Sequence, residues 1–310
     1  MVTKTRLLLM LMFSLATIGI ERAQQTTGDI LGTVTDSSGA VVSHSTVTVE
    51  NLGTHERRTT QSSDGGDYVV NLLNPGTYSV TVTNSGFKTF TVPSLVLAAG
   101  DRARINAQLS VGQITESITV EAQTSALQTD SSVLSHTISE KATQDLPLNG
   151  RNYIQLVQLA PGANEGPPDS LTNGSKLDDR RQSASVSVNG QSDILNNQMI
   201  DGVNNNERLI GTIAVRPSVE AISEMRVQTN TYTAEVGRTG GGIINVITKS
   251  GTNSLRGTLF EYFRNDIFDA NTYGFGATLP KSELRQNQYG GSIGGPIKKD
   301  KIQSQCGSSP

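Results

Sequence analysis

Tryptophan is absent from this 310-residue sequence, cysteine occurs once, at Cys306, and histidine three times, at His44, His55 and His136. A single cysteine excludes a disulfide framework. Its place near the C-terminus also leaves no cysteine behind the N-terminal segment for a lipid anchor. None of the histidines has a second histidine, a cysteine or paired carboxylates at metal-ligand spacing, so no zinc site is expected. An excess of one charge is missing too. The net charge is −3 with the charged residues interspersed, which argues against nucleic acid, whose phosphates need a basic face. The glycines at 240–242 neither follow dinucleotide spacing nor open a helix. The D-G-V-N-N-N run from Asp201 lacks the glutamate that closes a calcium loop. Neither catalysis nor a cofactor is expected. Beyond Ile20 no apolar run is long enough to span a bilayer as a helix, so any membrane contact must be made by strands.

What is present is the composition of exported, turn-rich β structure, with 31 glycines and abundant serine, threonine and asparagine. Lys4 and Arg6 precede an apolar stretch from Leu7 to Ile20, the pattern of an export signal over residues 1–23. Ala23 suits the cut although Glu21 sits badly before it; a cut after Gly19 competes, and a short N-terminal anchor is the alternative. Residues 28–110 then read as a small β-sandwich. Val47 and Val49 alternate with Thr46, Thr48 and Glu50. Tyr78, Val80 and Val82 share one face, as do Ile105, Ala107 and Leu109, and such period-2 alternation marks strands with one buried face. Turn chemistry separates them at 36–40, 63–67, 74–76 and 84–86, where glycine supplies positive φ and Pro75 presets a bend.

Residues 111–123 hold one further alternating stretch, Glu116, Ser117, Ile118, Thr119, Val120, Glu121 and Ala122. An isolated extended segment between two domains is either an ordinary linker or a strand that another protein pairs with. Residues 124–250 read as a mixed α/β unit. Ser139 caps a short helix that must end before Pro147. Asn152 caps a second, with Tyr153, Leu156, Val157 and Ala160 on one face. A polar loop over 162–183, a strand at 185–191, a strand end running into an asparagine-rich turn at 199–207 and a one-turn helix opened by Ser218 complete it. From Thr239 to Arg264 the composition changes. A triple glycine leads into an Ile/Val strand, a K-S-G-T-N turn breaks it, and an aromatic strand follows in which Leu259, Phe260, Tyr262 and Phe263 suit an exposed or lipid-facing surface. With Thr258, Phe260 and Tyr262 on one face, it pairs with 286–297, where Tyr289 and Ile293 share a face. Each segment is near the length that a tilted membrane strand requires.

Two resemblances organise these readings. The G-x-V-x-D at Gly32, Val34 and Asp36, the G-A-V-V turn at 39–42 and the D-Y-x-x-x-x-L-x-P-G-T-Y at 67–78, followed by G-F at 86–87, resemble the carboxypeptidase regulatory-like domain, a transthyretin-like sandwich. In the enzymes that gave that domain its name it is an accessory. The motifs LPLNGRNYIQLVQLAPG (146–162), VNGQ (188–191), MIDGVNNNE (199–207), AEVGRTGGGIINVITKSGTN (234–253) and RGTLFEYFRND (256–266) resemble, in that order, the N-terminal part of a TonB-dependent outer-membrane receptor of the Oar-like kind.

The resemblance implies a mainly β chain: a transthyretin-like β-sandwich, a mixed α/β plug domain over 124–250, and an incomplete start of a transmembrane β-barrel over 251–300. It implies that Glu116–Ala122 is a TonB box, which pairs with a TonB-like energy transducer. It also implies that Gly240, Gly241 and Gly242 pack against a curved barrel wall, and that Asn204, Asn205 and Asn206 form a plug apex facing the substrate. Members of the family continue through a barrel of about twenty-two strands. The tail at 301–310 shows no alternation, and the expectation is a truncated or frame-shifted product that does not transport alone; a true short protein or a fragmentary gene model is the alternative. A secreted or periplasmic sandwich that binds carbohydrate or protein is the competing function. A metallocarboxypeptidase accessory fragment is disfavoured because no catalytic domain follows.

Overall fold

A computed structural model describes residues 27–112, 117–119, 131–166, 185–207, 213–232, 236–237, 239–271, 281 and 283–308. The expected export signal lies outside the described residues. Among the described residues no helix is long and apolar enough to cross a membrane, which says nothing of strands.

The alternation between residues 28 and 110 produces two sheets. The strands are β1 (Gly28–Asp36), β2 (Thr46–Asn51), β3 (Arg57–Gln61), β4 (Asp67–Leu73), β5 (Gly76–Thr83), β6 (Thr89–Leu97), β7 (Arg102–Arg104), β8 (Ala107–Leu109) and β9 (Ser117–Thr119). One sheet runs β4-β1-β7, with β8 also on β1; the other runs β3-β2-β5-β6-β9. Ile30, Val34, Tyr68 and Val70 from the first pack against Val47, Val49, Val80, Val82, Phe90 and Val92 from the second. Burying an aliphatic or aromatic side chain of this kind contributes about 1.5–3 kcal/mol. The regulatory-like motif has a physical reading here. A Cβ on Gly32 would collide with the Ile105 carbonyl, which also accepts the Tyr68 hydroxyl proton at 2.7 Å. Asp36 Oδ1 accepts from Ser38 N, Ser38 Oγ and Ala40 N at 2.8, 2.6 and 2.9 Å and so closes its turn. The bond from the Ser38 hydroxyl is the main reason that its carboxyl titrates below the ordinary value. The single strand expected through Ile105, Ala107 and Leu109 is instead two, β7 and β8, both parallel to β1. The break falls at Ile105–Asn106, where Asn106 Oδ1 accepts Thr33 N at 3.2 Å in place of a ladder bond.

Next come β10 (Leu134–Ser139), α1 (Glu140–Asp145), 3-10 turns at 149–151 and 153–159, β11 (Ala163–Glu165), β12 (Val186–Val188), β13 (Asn197–Ile200), β14 (Val203–Asn204), β15 (Ile222–Asn230) and β16 (Ile243–Thr248). The main sheet has the order β10-β15-β16-β13-β14, and only the β13–β16 pair is parallel. Ser139 caps α1 through Ala142 N at 3.3 Å, and Leu146, at its C-cap, precedes Pro147. The segment that Asn152 caps is a 3-10 helix, not an α-helix. Tyr153, Ile154, Leu156, Val157 and Ala160 are buried from it, and burial pushes the Tyr153 hydroxyl up to about 12. The expected polar loop at 162–183 opens as a strand: β11 pairs antiparallel with β12, and residues 167–183 lie outside the described residues. The triple glycine packs closely within its own unit. A Cβ on Gly242 would meet both Val188 methyls at 2.9 Å, and one on Gly241 would clash with the Asn196 side chain. Gly241 and Gly242 thus seat β16 against its own unit.

β17 (Arg256–Asn265), β18 (Arg285–Lys298) and β19 (Ile302–Ser308) form an antiparallel sheet in sequence order. The tail without alternation is therefore a strand in its own right, carrying Cys306 exposed and opposite Ile293. Among the described residues the sheet does not close. Its register keeps Phe260 with Tyr262 and Tyr289 with Ile293, as expected, but splits the four residues that together suited an exposed surface. Phe260 and Tyr262 turn toward Arg151 of the α/β unit, whereas Leu259 and Phe263 turn away with Tyr289, Ile293 and Ile297. Leu259 is 93% exposed. Aromatic character alone could not separate the two faces; register and the cation beneath one of them do.

Candidate functional site

The stretch 116–122 is described at its centre only, and Glu116, Val120, Glu121 and Ala122 lie outside the described residues. Ser117, Ile118 and Thr119 form β9, which runs parallel to β6 with Thr89↔Ser117, Phe90↔Ile118 and Thr91↔Thr119 as partners. The chain reaches this edge through an antiparallel bridge, Phe87↔Val111, flanked by Lys88 N donating to Ser110 O at 2.8 Å. β6 is built as an edge. Pro93 has no N–H to donate, and Pro93 and Ser94 together face only Ser79, a bulge that bends the strand after Val92. Among the described residues the ladder with β9 spans Thr89–Thr91. Register matches pattern: Ile118 stands opposite Phe90, a core residue 4% exposed, and the polar positions stand opposite threonines.

The asparagine turn holds itself together. Asn205 Nδ2 donates to Val215 O and its Oδ1 accepts Val215 N, each at 2.8 Å. Asn206 Nδ2 donates to Asn197 Oδ1 at 2.7 Å, and Asn206 Oδ1 accepts Gln198 N at 2.9 Å. Asn204 is the exposed member, and its Oδ1 accepts Asn206 N at 2.8 Å. Asp201, at φ 49, spends both carboxylate oxygens on Thr248, at 2.8 Å to N and 2.7 Å to Oγ1. The structure thus gives Asn205, Asn206 and Asp201 folding roles and leaves Asn204 as the outward side chain. The turn and β9 are separate features, belonging to different sheets.

Three of the contacts that join the units among the described residues were absent from the sequence reading. In the first, Arg226 of β15, 4% exposed, donates to Ala99 O and to Asp101 Oδ1 at 3.3 Å, while Glu224 accepts Ala99 N at 2.6 Å. Burial raises the Glu224 carboxyl and lowers the Arg226 guanidinium; neighbouring opposite charges oppose both shifts. Gly100, at φ 69, allows the approach, since a Cβ there would meet the guanidinium at 2.7 Å. In the second, Asn253 donates from N to Gly53 O at 2.9 Å and from Nδ2 to Thr54 O and Asp300 Oδ1 at 2.9 and 2.8 Å. Asp300 also bonds the His55 ring at 3.1 Å. In the third, the left-handed pair Gly150 and Arg151 (φ 62 and 55) aims a guanidinium at Glu220 and over Tyr262, 3.8 Å from the ring centroid. In S-E-M-R-V-Q, Glu224 and Arg226 alternate with the core residues Met225 and Val227 and read as an ordinary polar face, so no sequence signal marked the first contact.

Residues 29–110 match the carboxypeptidase regulatory-like domain, and residues 247–302 match an outer membrane beta barrel domain. Over 295 residues the chain is 24% identical to the TonB-dependent transporter Oar of Myxococcus xanthus, covering 91% of this chain and 26% of that protein. It therefore spans about a quarter of the length of that curated relative. Two solved structures align over 57% of the chain. The siderophore receptor PirA from Acinetobacter baumannii is 18% identical with 24% of it covered and a TM-score of 0.40. The outer membrane transporter YddB from Escherichia coli is 15% identical with 26% covered and a TM-score of 0.43. The chain is similar to the N-terminal part of a TonB-dependent outer-membrane receptor of the Oar kind, with a carboxypeptidase regulatory-like domain at its front.

Proposed function

We propose that the chain is the front part of a receptor for energised uptake across the outer membrane. In this reading residues 1–23 direct export and 28–110 form the regulatory-like sandwich. Residues 111–123 carry the strand offered to a TonB-like transducer, 124–250 form the plug, and 251–300 begin the barrel. The observation that carries it is the two-faced sheet β17–β19. Its outward face bears Leu259, Phe263, Tyr289, Ile293 and Ile297, while its inward face lays Phe260 and Tyr262 under Arg151 of the α/β unit. A sheet that shows aliphatics to one side and a cation-bearing domain to the other fits a membrane wall around a plug. β17 and β18, at 10 and 14 residues, are long enough to cross. A peptide of residues 112–124 is expected to bind the periplasmic C-terminal domain of TonB by strand addition, measured by calorimetry. No binding, or unchanged binding after residues 116–122 are scrambled, would sink the transducer assignment.

One observation favours a second function, a carbohydrate-binding sandwich. Thr59, Thr48, Thr81 and Thr91 stand in one cross-strand row, a band of hydroxyls beside the Glu50–Arg57 ion pair on the same face. Glycan-array silence of residues 28–110 would count against it.

A further inference from the structure

We propose that the sandwich is a latch between plug and barrel. It is carried by plug strand β15 through one buried contact, and it grips the segment entering the first membrane hairpin through a second, releasable one. The inference rests on the plug and barrel assignments above for its two bodies and makes no use of the transducer. The grip is built around Asn253. Its backbone N–H donates to Gly53 O at 2.9 Å, and its Nδ2 donates to Thr54 O and Asp300 Oδ1 at 2.9 and 2.8 Å. Its Oδ1 accepts from Asp300 N at 3.0 Å and from Gln303 Nε2 at 3.1 Å. Both amide protons and both lone pairs are used, which only a side-chain amide allows. The same segment is seated on the hairpin at Gly251, where a Cβ would meet Ser304 N at 2.5 Å. One asparagine thus ties together the sandwich turn 52–55, the segment 249–255 and the β18–β19 turn.

Topology makes the two contacts one device. The turn 52–55 follows β2 and the turn 98–101 follows β6. Both leave the same end of one sheet, where Asn51 pairs with Tyr78 and Gly76 with Leu97. Leu52 N also donates to Thr77 O at 2.8 Å. Only β5 lies between β2 and β6, so the strands that carry the two turns stand about 10 Å apart on one hydrogen-bonded ladder. While both contacts are made, the sandwich therefore holds β15 and the first hairpin at a fixed separation. Burial decides which contact opens first. The Asp300 and His55 side chains are 60% and 56% exposed, whereas that of Arg226 is 5% exposed. Water replaces the bonds of an exposed contact at little cost, while a buried charge left unpaired is costly. The sandwich thus releases the hairpin and stays on β15. The Arg151 contact joins the plug to β17 without the sandwich and is no part of the latch.

Gly53 supplies the test. A Cβ there would lie 3.9 Å from Thr252 Cβ, inside the roughly 3.5–4.5 Å that a disulfide sets between Cβ atoms. The full chain carrying Gly53→Cys and Thr252→Cys, with Cys306→Ser to remove the native thiol, is oxidised with glutathione disulfide in detergent. Its rate of cross-linking is compared with that of the same chain bearing Asn253→Asp or Arg226→Ala. Asn253→Asp removes two donated bonds and sets a second carboxylate against Asp300. The parent is expected to cross-link, and each substitution to slow it about tenfold, the worth of two ordinary hydrogen bonds. Hydrogen exchange, followed without the cysteine pair, then gives the order of release. With Asn253→Asp, exchange at position 253 should rise about tenfold while Ala99 stays within about twofold. With Arg226→Ala both should rise. The amides of β2 and β5 show that the sandwich is folded, and where Arg226→Ala unfolds it, Glu224→Ala takes its place. Absence of the cross-link overturns the proposal. Cross-linking at the parent rate in the folded Arg226→Ala chain does so too, since β15 would not carry the sandwich. Equal acceleration at both amides with Asn253→Asp overturns the order of release. None of these readouts involves TonB, so a peptide that fails to bind leaves the latch standing, and a missing cross-link leaves the transducer assignment standing.

Discussion

Arg226→Ala would test whether charge, rather than shape alone, fixes the sandwich on the α/β unit. The Arg226 side chain is 5% exposed and that of its partner Asp101 22%. Removing one member of a buried pair costs about 3–5 kcal/mol, because the other charge stays desolvated and unpaired. Water reaching Asp101 softens that figure, and the loss of a compensating cation beside Glu224 restores part of it. The expected cost is about 2–3 kcal/mol. Arg226→Met keeps the aliphatic stem and separates packing from charge; it should retain most of the loss. A chain with two hydrophobic cores need not unfold in one step, so a single midpoint is the wrong assay. Hydrogen exchange of the Ala99 amide is the direct readout, because that N–H donates to Glu224 across the contact. Faster exchange at Ala99, with the amides of β2 and β5 unchanged, is the expected signature. A cost below about 1 kcal/mol with Ala99 protection intact would refute the reasoning.

Glu224→Gln addresses the same contact through pH. The folded carboxyl titrates above its ordinary 4.5, chiefly from burial, so between the unfolded and folded values the native state holds more protons. Stability must then fall as pH rises through that window. The glutamine variant, whose Oε1 still accepts Ala99 N, should flatten this fall, and an unchanged slope in denaturation from pH 4 to 7 would rule it out. Gly242→Ala adds a methyl 2.9 Å from the Val188 side chain and should cost about 1–3 kcal/mol in urea unfolding of the α/β unit. Arg151→Met removes both the ion pair to Glu220 and the stacking on Tyr262. It should speed proteolysis between residues 249 and 255 while sparing the sandwich; an unaltered digest would show that this arginine does not couple the sheet to the unit.

What was legible in the sequence follows from the range over which each signal acts. The sandwich was readable because alternation, glycine turns and an Asx-type turn at Asp36 act within a few residues of themselves. The caps at Ser139 and Asn152 were readable for the same reason, although the 3-10 form of the second helix was not. The other misreadings are long-range. The direction in which Phe260 and Tyr262 face depends on Arg151, more than one hundred positions earlier in the chain. The role of the triple glycine depends on Val188 and Asn196, and β19 exists because β18 offers an edge to a segment with no pattern of its own. At the candidate site the alternation of 116–122 announced a strand, and nothing local could name its partner. Asn204, Asn205 and Asn206 looked equivalent as a run, yet backbone geometry turns two of them inward to hold the turn.

The three joints are not equivalent, and their placement bears on β6. Asn253 and Asp300 hold the Gly53–His55 turn, which links β2 to β3. Glu224 and Arg226 hold the turn after β6. One joint is polar and exposed, and competes with water at every bond; the other is buried, and an unsatisfied group there costs more to create than an exposed bond contributes. The orientation of β6 is therefore set mainly by Arg226 and Glu224, at the end of that strand remote from Thr89–Thr91. Loosening this joint should move the sandwich as a body and leave the pairing of β6 with β5 intact, because those bonds are internal to the sandwich sheet. Arg226→Ala then reports on where the sandwich sits and not on how its own sheets pair.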